Sequence, residues 1–245
     1  MTVDRWTQAV RHQLGLGRFL PLGGARDGAW ITEEAAGSVL RRAAGDMRGA
    51  RLGRLRIGLA DPQDAHDPAV PPPPSALPPG PLRVTAEFAA TASEPLPTTA
   101  ERLRALVATA ADGLGLAVAE VDLRVTALLD EEPDEDEGEP GSLPVRPPEP
   151  APAEPRGDGD SDEGRAAGAA LSVPGVSRLT GILGRPVHIE ERQDATGALP
   201  RRHVRLELAV GADHRALDVA RAVRVKVEKA LPDHPTVAVL VTAVG

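Results

Sequence analysis

Cysteine is absent from the 245 residues, which excludes disulfides, thiol nucleophiles and thiolate metal sites. Tyrosine is absent as well, and two Phe and two Trp make up the whole aromatic set. Any core must therefore be assembled from Ala, Val and Leu, and small aliphatic domains bury little surface per residue. Lysine is scarce, 2 against 26 Arg. No apolar run approaches the ~18–20 residues of a membrane-spanning helix. The opening residues, MTVDRWTQAVRHQLGLGRF, lack the apolar centre of a signal peptide. A cytoplasmic protein is the expectation.

The signatures of reaction chemistry are missing too. There is no GxSxG nucleophile elbow and no GxxxxGK[ST] phosphate loop. The six histidines, His12, His66, His188, His203, His214 and His234, fall at no metal-ligand spacing. DAHD at 64–67 reads as a surface turn in a Pro-rich loop. DGDSDEG at 158–164 lacks the glycine and the closing acid of a calcium loop. Glu190 and Glu191 are adjacent on a strand and face opposite sides. No catalytic, cofactor-binding or metal residue is assigned, no cofactor is expected, and the chain does not read as an enzyme.

What is present is a divided charge. The net charge is −8, but residues 130–164 hold 14 Asp/Glu against 2 Arg, so this segment alone carries −12 and the remainder +4. The same segment holds eight prolines and no apolar periodicity. Such composition does not repay the entropy of ordering, and it reads as a disordered acidic linker. It separates two halves, residues 29–129 and 165–245, behind an N-terminal segment 1–28.

The halves align. AAG at 35–37 and LGR at 52–54 recur at 166–168 and 183–185, a displacement of 131. LRVTAEF at 82–88 matches VRLELAV at 204–210, displaced by 122, and VDLRVTAL at 121–128 matches VAVLVTAV at 237–244, displaced by 116. Matched order, spacing and pattern point to an internal duplication.

Each half then reads helix–strand–strand–helix–strand. In the first, Thr32 caps a helix whose first turn holds Glu33 and Glu34, with Ala35, Ala36, Val39, Leu40, Ala43 and Ala44 on one stripe. A short strand covers 52–59. Leu82, Val84, Ala86 and Phe88 alternate as a half-buried strand. Thr98 and Glu101 form a capping box for a helix carrying Leu103, Leu106, Val107, Ala110 and Leu114, ended by Gly113 or Gly115. Val121, Leu123 and Val125 face inward on the last strand. In the second half a short helix near 164–172 stops at Pro174, and a strand covers 182–190. Val204, Leu206, Leu208 and Val210 point inward, and Asp213 caps a helix carrying Leu217, Ala220, Val223, Val227 and Leu231 before Pro232. The final strand is 236–243. The fold class is α+β: two related two-layer modules joined by the linker. The loop PPPPSALPPG at 71–80 reads as a stiff, extended spacer.

VPGVSRLTGILGR, then VRLELAVGADHRALDVARAVRVKVEKAL, then VAVLVTAVG resembles the alkaline shock protein family, also called the envelope stress response family. The likeness covers about residues 164–245. The first half resembles it more distantly and has GDMRGA where the VPGV turn would stand. With its Arg- and Ala-rich composition the chain is similar to a two-copy actinobacterial member. The resemblance implies a non-enzymatic cytoplasmic protein under the inner face of a bacterial membrane, acting in envelope stress homeostasis. It implies partners of two kinds: the protein itself or related members, and a small membrane-anchor protein. It brings no catalytic residues.

Two other readings stand beside it. GILGR at 181–185 is a GxxG loop, which in KH modules clamps an RNA backbone, although there it joins two helices. A protein-binding module with no envelope role is the other. In the N-terminal segment, Trp6, Ala9, Val10, Gln13 and Leu14 share a helical face beside Arg5, Arg11, His12 and Arg18, followed by Phe19, Leu20 and Leu22. Docking of this segment onto the first half is favoured over contact with an anionic membrane.

Overall fold

A computed structural model describes residues 17–129, 161–192 and 201–245. The amphipathic face from Trp6 to Leu14, His12, and residues 130–160 of the expected linker lie outside the described residues. The described chain is α+β, with four helices and two sheets.

The smaller sheet is built by β3 (Ala50–Leu59), β4 (Leu82–Thr91) and β5 (Val118–Leu129), in the order β3-β4-β5. The β3–β4 pair is antiparallel and β4–β5 parallel. Helix α1 (Glu33–Gly45) precedes β3, and α2 (Leu96–Leu114) makes the crossover that a parallel pair requires. Thr32 caps α1 by accepting from the Ala35 N–H. α2 begins after Pro95 with no side-chain cap, so Thr98 lies inside its first turn and the expected capping box does not form.

The second half has α3 (Asp162–Leu171), β6 (Val176–Leu179), β7 (Val187–Arg192), β8 (Arg201–Val210), α4 (Ala216–Ala230) and β9 (Thr236–Val244). β6 and β7 both pair antiparallel with β8, and β8 pairs parallel with β9. The strand expected over 182–190 therefore begins only at Val187, as β7, while β6 at Val176–Leu179 lies before the expected range and residues 180–186 separate the two. α3 begins at Asp162, because Ser161 caps it and Asp162 and Glu163 suit the positive helix end. α4 has Arg215 at its N-cap without a side-chain bond, and Asp213 turns instead to His214 Nδ1 at 2.8 Å.

The two parallel pairs share their register. Val84, Ala86 and Phe88 face Val121, Leu123 and Val125, and the pairing then slips so that Ala89 faces Ala127. Val204, Leu206 and Leu208 face Val237, Val239 and Val241, and the pairing slips so that Ala209 faces Ala243. β4 and β8 thus correspond at a displacement of 120, two residues from the 122 of the sequence match. A two-residue slip keeps every side chain on its face, so alternation alone does not detect it.

Two short strands add to the expected elements. β1 (Phe19–Leu22) pairs antiparallel with β2 (Ala29–Thr32), and β2 runs parallel to β9. The larger sheet is therefore β1-β2-β9-β8-β6, with β7 also on β8. Phe19, Leu20 and Leu22 dock as expected, but on the sheet of the second half rather than on the first. Both strands are buried on both faces. Leu20, Leu22 and Ile31 join one contiguous apolar cluster with residues of both sheets and all four helices. Phe19 and Trp30 point to the opposite face, with Val70, Ala238 and Leu240.

That opposite face is covered by the proline-rich connection. The Leu77 N–H donates to the Phe19 carbonyl at 2.8 Å, Trp30 Nε1 to the Leu77 carbonyl at 3.4 Å, and the Ala69 N–H to the Ala25 carbonyl at 2.8 Å. The segment is thus a lid over Trp30 and not a free spacer. Its prolines lower the entropy lost in holding it there.

Polar contacts tie the N-terminal segment to both halves as well. Arg221 donates to both carboxylate oxygens of Asp27, at 2.8 and 3.1 Å. Arg224 donates to the carbonyls of Arg26, Asp27 and Val237. Gly115, at φ 92°, ends α2, and its carbonyl accepts the Gly23 N–H at 2.9 Å. A Cβ at this glycine would fall inside the Leu217 side chain of α4.

Candidate functional site

Two features stand out from a fold otherwise accounted for by packing. One is a buried carboxyl on the larger sheet, and the other is the pattern of closed and open strand edges.

Glu207 lies on β8 between Leu206 and Leu208, and alternation turns it to the face opposite the main core. It is fully buried. The break between β6 and β7 folds over it: its own N–H donates to the Pro186 carbonyl at 2.9 Å and its carbonyl accepts from the Thr180 N–H at 2.9 Å. Oε2 accepts from the Leu183 N–H at 3.0 Å. Oε1 has no hydrogen-bond partner among the described residues, and the nearest cation, Arg205, stands at 3.7 Å. Burial pushes this carboxyl up to about 7, more than the Leu183 N–H and Arg205 restore. Two residues from Arg205 on the same strand, His203 is buried too, with Nδ1 2.8 Å from Thr236 Oγ1. Burial holds it down to about 4. Between about pH 4 and 7 the strand thus carries a neutral acid and a neutral imidazole on one face, about 13 Å apart.

GILGR is the loop over Glu207, joining two strands. Its Leu183 N–H is already given to Glu207 Oε2, so it is not free for a phosphate. His188 and Glu190 neighbour each other on β7 at 3.7 Å, and β7–β8 register sets His188 against Arg205 and Glu190 against His203. Glu191 alternates to the other face, and it is exposed. His66 sits in the loop beyond Asp64, and His234 in the turn before β9. Among the described residues no group of three or more His, Asp or Glu is placed to hold a metal ion. Of DGDSDEG, residues 158–160 lie outside the described residues. Asp162 pairs with Arg165 and Arg202 in the first turn of α3.

The edges differ among themselves. On β3, Ile57 donates its N–H to Glu33 Oε1 at 3.1 Å and accepts Arg18 Nη2 at 2.9 Å on its carbonyl. Glu33 is buried, and its Oε2 also accepts the Arg18 N–H at 3.3 Å. Two side chains so close the middle of this edge. β9 is covered by β2, and β1 by the proline lid. β5 is long and mostly exposed, with Val125 38% and Leu128 64% accessible. Its one side-chain cover among the described contacts is Arg104 Nε, which donates to the Val121 carbonyl at 3.1 Å.

Sequence reasoning does not single out Glu207, Glu33 as an edge clamp, or the β5 edge. The only local sign of Glu207 is an acid inside an otherwise apolar run, LELAV.

No protein-family model matches the chain, and no curated protein matches it in sequence. No helix among the described residues is long and apolar enough to cross a membrane.

Proposed function

We infer that the chain is a non-enzymatic scaffold or interaction protein of the alkaline shock type, built from one α+β module carried twice and joined by an acidic disordered linker. It works in envelope stress homeostasis near the inner face of a bacterial membrane. The observation that supports the two-copy part of this reading is the pairing slip at Phe88/Ala89 in one sheet and at Leu208/Ala209 in the other, at the same point of the same β–α–β unit. Bulges re-aim a strand at a particular place, and independent strands have no reason to share one. The VPGV turn adds support: Gly175 takes φ 91° between α3 and β6, packed against Val219 and His214 of the second half.

Its partners are itself or related proteins, and a small membrane-anchor protein. Crosslinking in the bacterial host, followed by affinity recovery of the tagged full chain, tests this. Co-recovery with a small membrane protein is expected. A chain that fractionates without any membrane partner would sink the envelope role and leave a plain protein-binding module. Retention on RNA that is lost at raised salt would favour the nucleic-acid reading instead.

A further inference from the structure

The open edge of β5 has a defined polarity. Ile57 uses its main-chain N–H and carbonyl on the outer side of β3, so its partner Val84 turns its own groups to β5. Val121, opposite Val84, therefore points its main chain away from the sheet, and so do Leu123 and Val125 at alternate positions. Arg104 reaching the Val121 carbonyl from α2 agrees with this. The matching position on β9 is Val239, opposite Leu206 as Leu123 is opposite Ala86. Val239 gives its outward N–H to the Gly28 carbonyl, and β2 lies alongside. One of two equivalent edges has a strand on it. The other presents Val121, Leu123 and Val125.

The geometry points to a second copy of this chain as the occupant, paired antiparallel through β5 about a two-fold axis at Leu123. This deepens the self-association in the proposed function and rests on that reading. In this register Leu123 faces its own copy and Val121 faces Val125, so every outward main-chain group meets its complement in about six hydrogen bonds. The carbonyl of Val121 has a second lone pair and can keep Arg104. On the other face, Asp122 of each copy stands opposite Arg124 of the other, an attractive cross-strand pair. Moving the axis to Val121 would set Glu120 against Asp122, two like charges. Moving it to Val125 would give up the Asp122–Arg124 pair. Antiparallel pairing also puts the two copies of Leu129, where the acidic run begins, at opposite ends. The result is an isologous contact that joins two three-stranded sheets into one.

The chain has no cysteine of its own, so single cysteines report register without background. Leu123→Cys in the full chain is expected to give a covalent dimer under mild oxidation, while Val121→Cys and Val125→Cys stay largely monomeric. In sedimentation the wild type is expected at twice 25.5 kDa. Asp122→Arg or Arg124→Asp should weaken the dimer at least about tenfold by opposing like charges, and the two together should restore it. Circular dichroism melts show whether each variant has kept its fold, and restoration by the double exchange is not explained by misfolding. A monomeric wild type overturns the proposal, as does equal crosslinking at Val125, or failure of the folded double variant to re-dimerise. If the Leu123→Cys variant is monomeric in cells and its thiol captures a foreign strand there, the proposal is overturned as well. The sedimentation and crosslinking experiments use purified chain, so their failure is separate from loss of a membrane partner.

Discussion

Replacing Glu207 by Gln should change the slope of stability against pH more than its height. The buried acid has its pKa raised from 4.5 to about 7. Between those values the unfolded chain has lost the proton and the folded chain keeps it, so stability falls as pH rises through this window. His203 is the reverse case, lowered from 6.5 to about 4. Between those values the unfolded chain binds a proton that the folded chain does not, so stability is lost as pH falls. Each displacement corresponds to about 3 kcal/mol over its window. The windows overlap from 4.5 to 6.5, where the two slopes have opposite sign and nearly cancel. Asp27 does not intrude: burial raises its pKa, but Arg221 and the Gly24 N–H outweigh that and hold it below 3.8, so its contribution is lost only at lower pH. The wild type should therefore be nearly flat from pH 4.5 to 6.5 in urea unfolding and decline gently towards 7. Glu207→Gln should unmask the histidine, losing about 3 kcal/mol as pH falls from 6.5 to 4, and should show no decline towards 7. His203→Gln should unmask the acid, falling by a similar amount as pH rises from 4.5 to 7. The slopes are diagnostic even if the amide itself costs stability under the loop. Parallel pH profiles for wild type and Glu207→Gln would refute the buried neutral acid.

Gly115→Ala should destabilise the chain by at least about 2 kcal/mol in the same assay, because it strains a positive-φ position and drives a Cβ into Leu217. An unchanged midpoint would mean that α2 and α4 do not meet there. Glu33→Ala removes the acceptor of the Ile57 N–H. A cost of about 1–3 kcal/mol is expected from the orphaned group, with faster aggregation by light scattering from the uncovered β3 edge. Trp30→Ala should cost about 3–5 kcal/mol and raise proteolysis within 61–81, since Trp30 anchors the lid by contact and by its Nε1 bond. Protection of that segment in the variant would count against the lid.

What can be read in advance follows from how local each signal is. Thr32, Glu33 and the Ala stripe define α1 within a few residues, and alternation defines β4, β8 and β9 in the same way. β1 and β2 escape because FLPL and AWIT are four residues long and buried on both faces, so they carry no alternation to detect. The strand expected over 182–190 fails because GILGR looks continuous with its neighbours, while the break over Glu207 is set by β8. Glu33 reads as a first-turn acid suited to the helix end, which is true of its place. Its use as a clamp on Ile57 depends on a strand 24 residues away. Glu207 likewise shows its face in the sequence, but its burial comes from a separate loop.

The β1–β2 hairpin explains why the β9 and β5 edges of the two sheets present different surfaces. Main-chain groups on β9 need partners, and β2 satisfies them in the manner of a crossover strand leading directly into α1. The same hairpin carries Phe19 and Trp30 to the outer face, which then requires the proline lid. Arg18, just before it, is placed to seal the β3 edge with Glu33. The single segment 17–32 thereby closes three surfaces, and among the described hydrogen bonds none of its own reaches β5. Exposed apolar side chains, Val125 and Leu128, lie on β5. Among the described residues the β5 edge carries only the Arg104 contact, while the β9, β1 and β3 edges are closed by a strand, a lid and an ion pair, and such an edge is open to strand pairing with another chain.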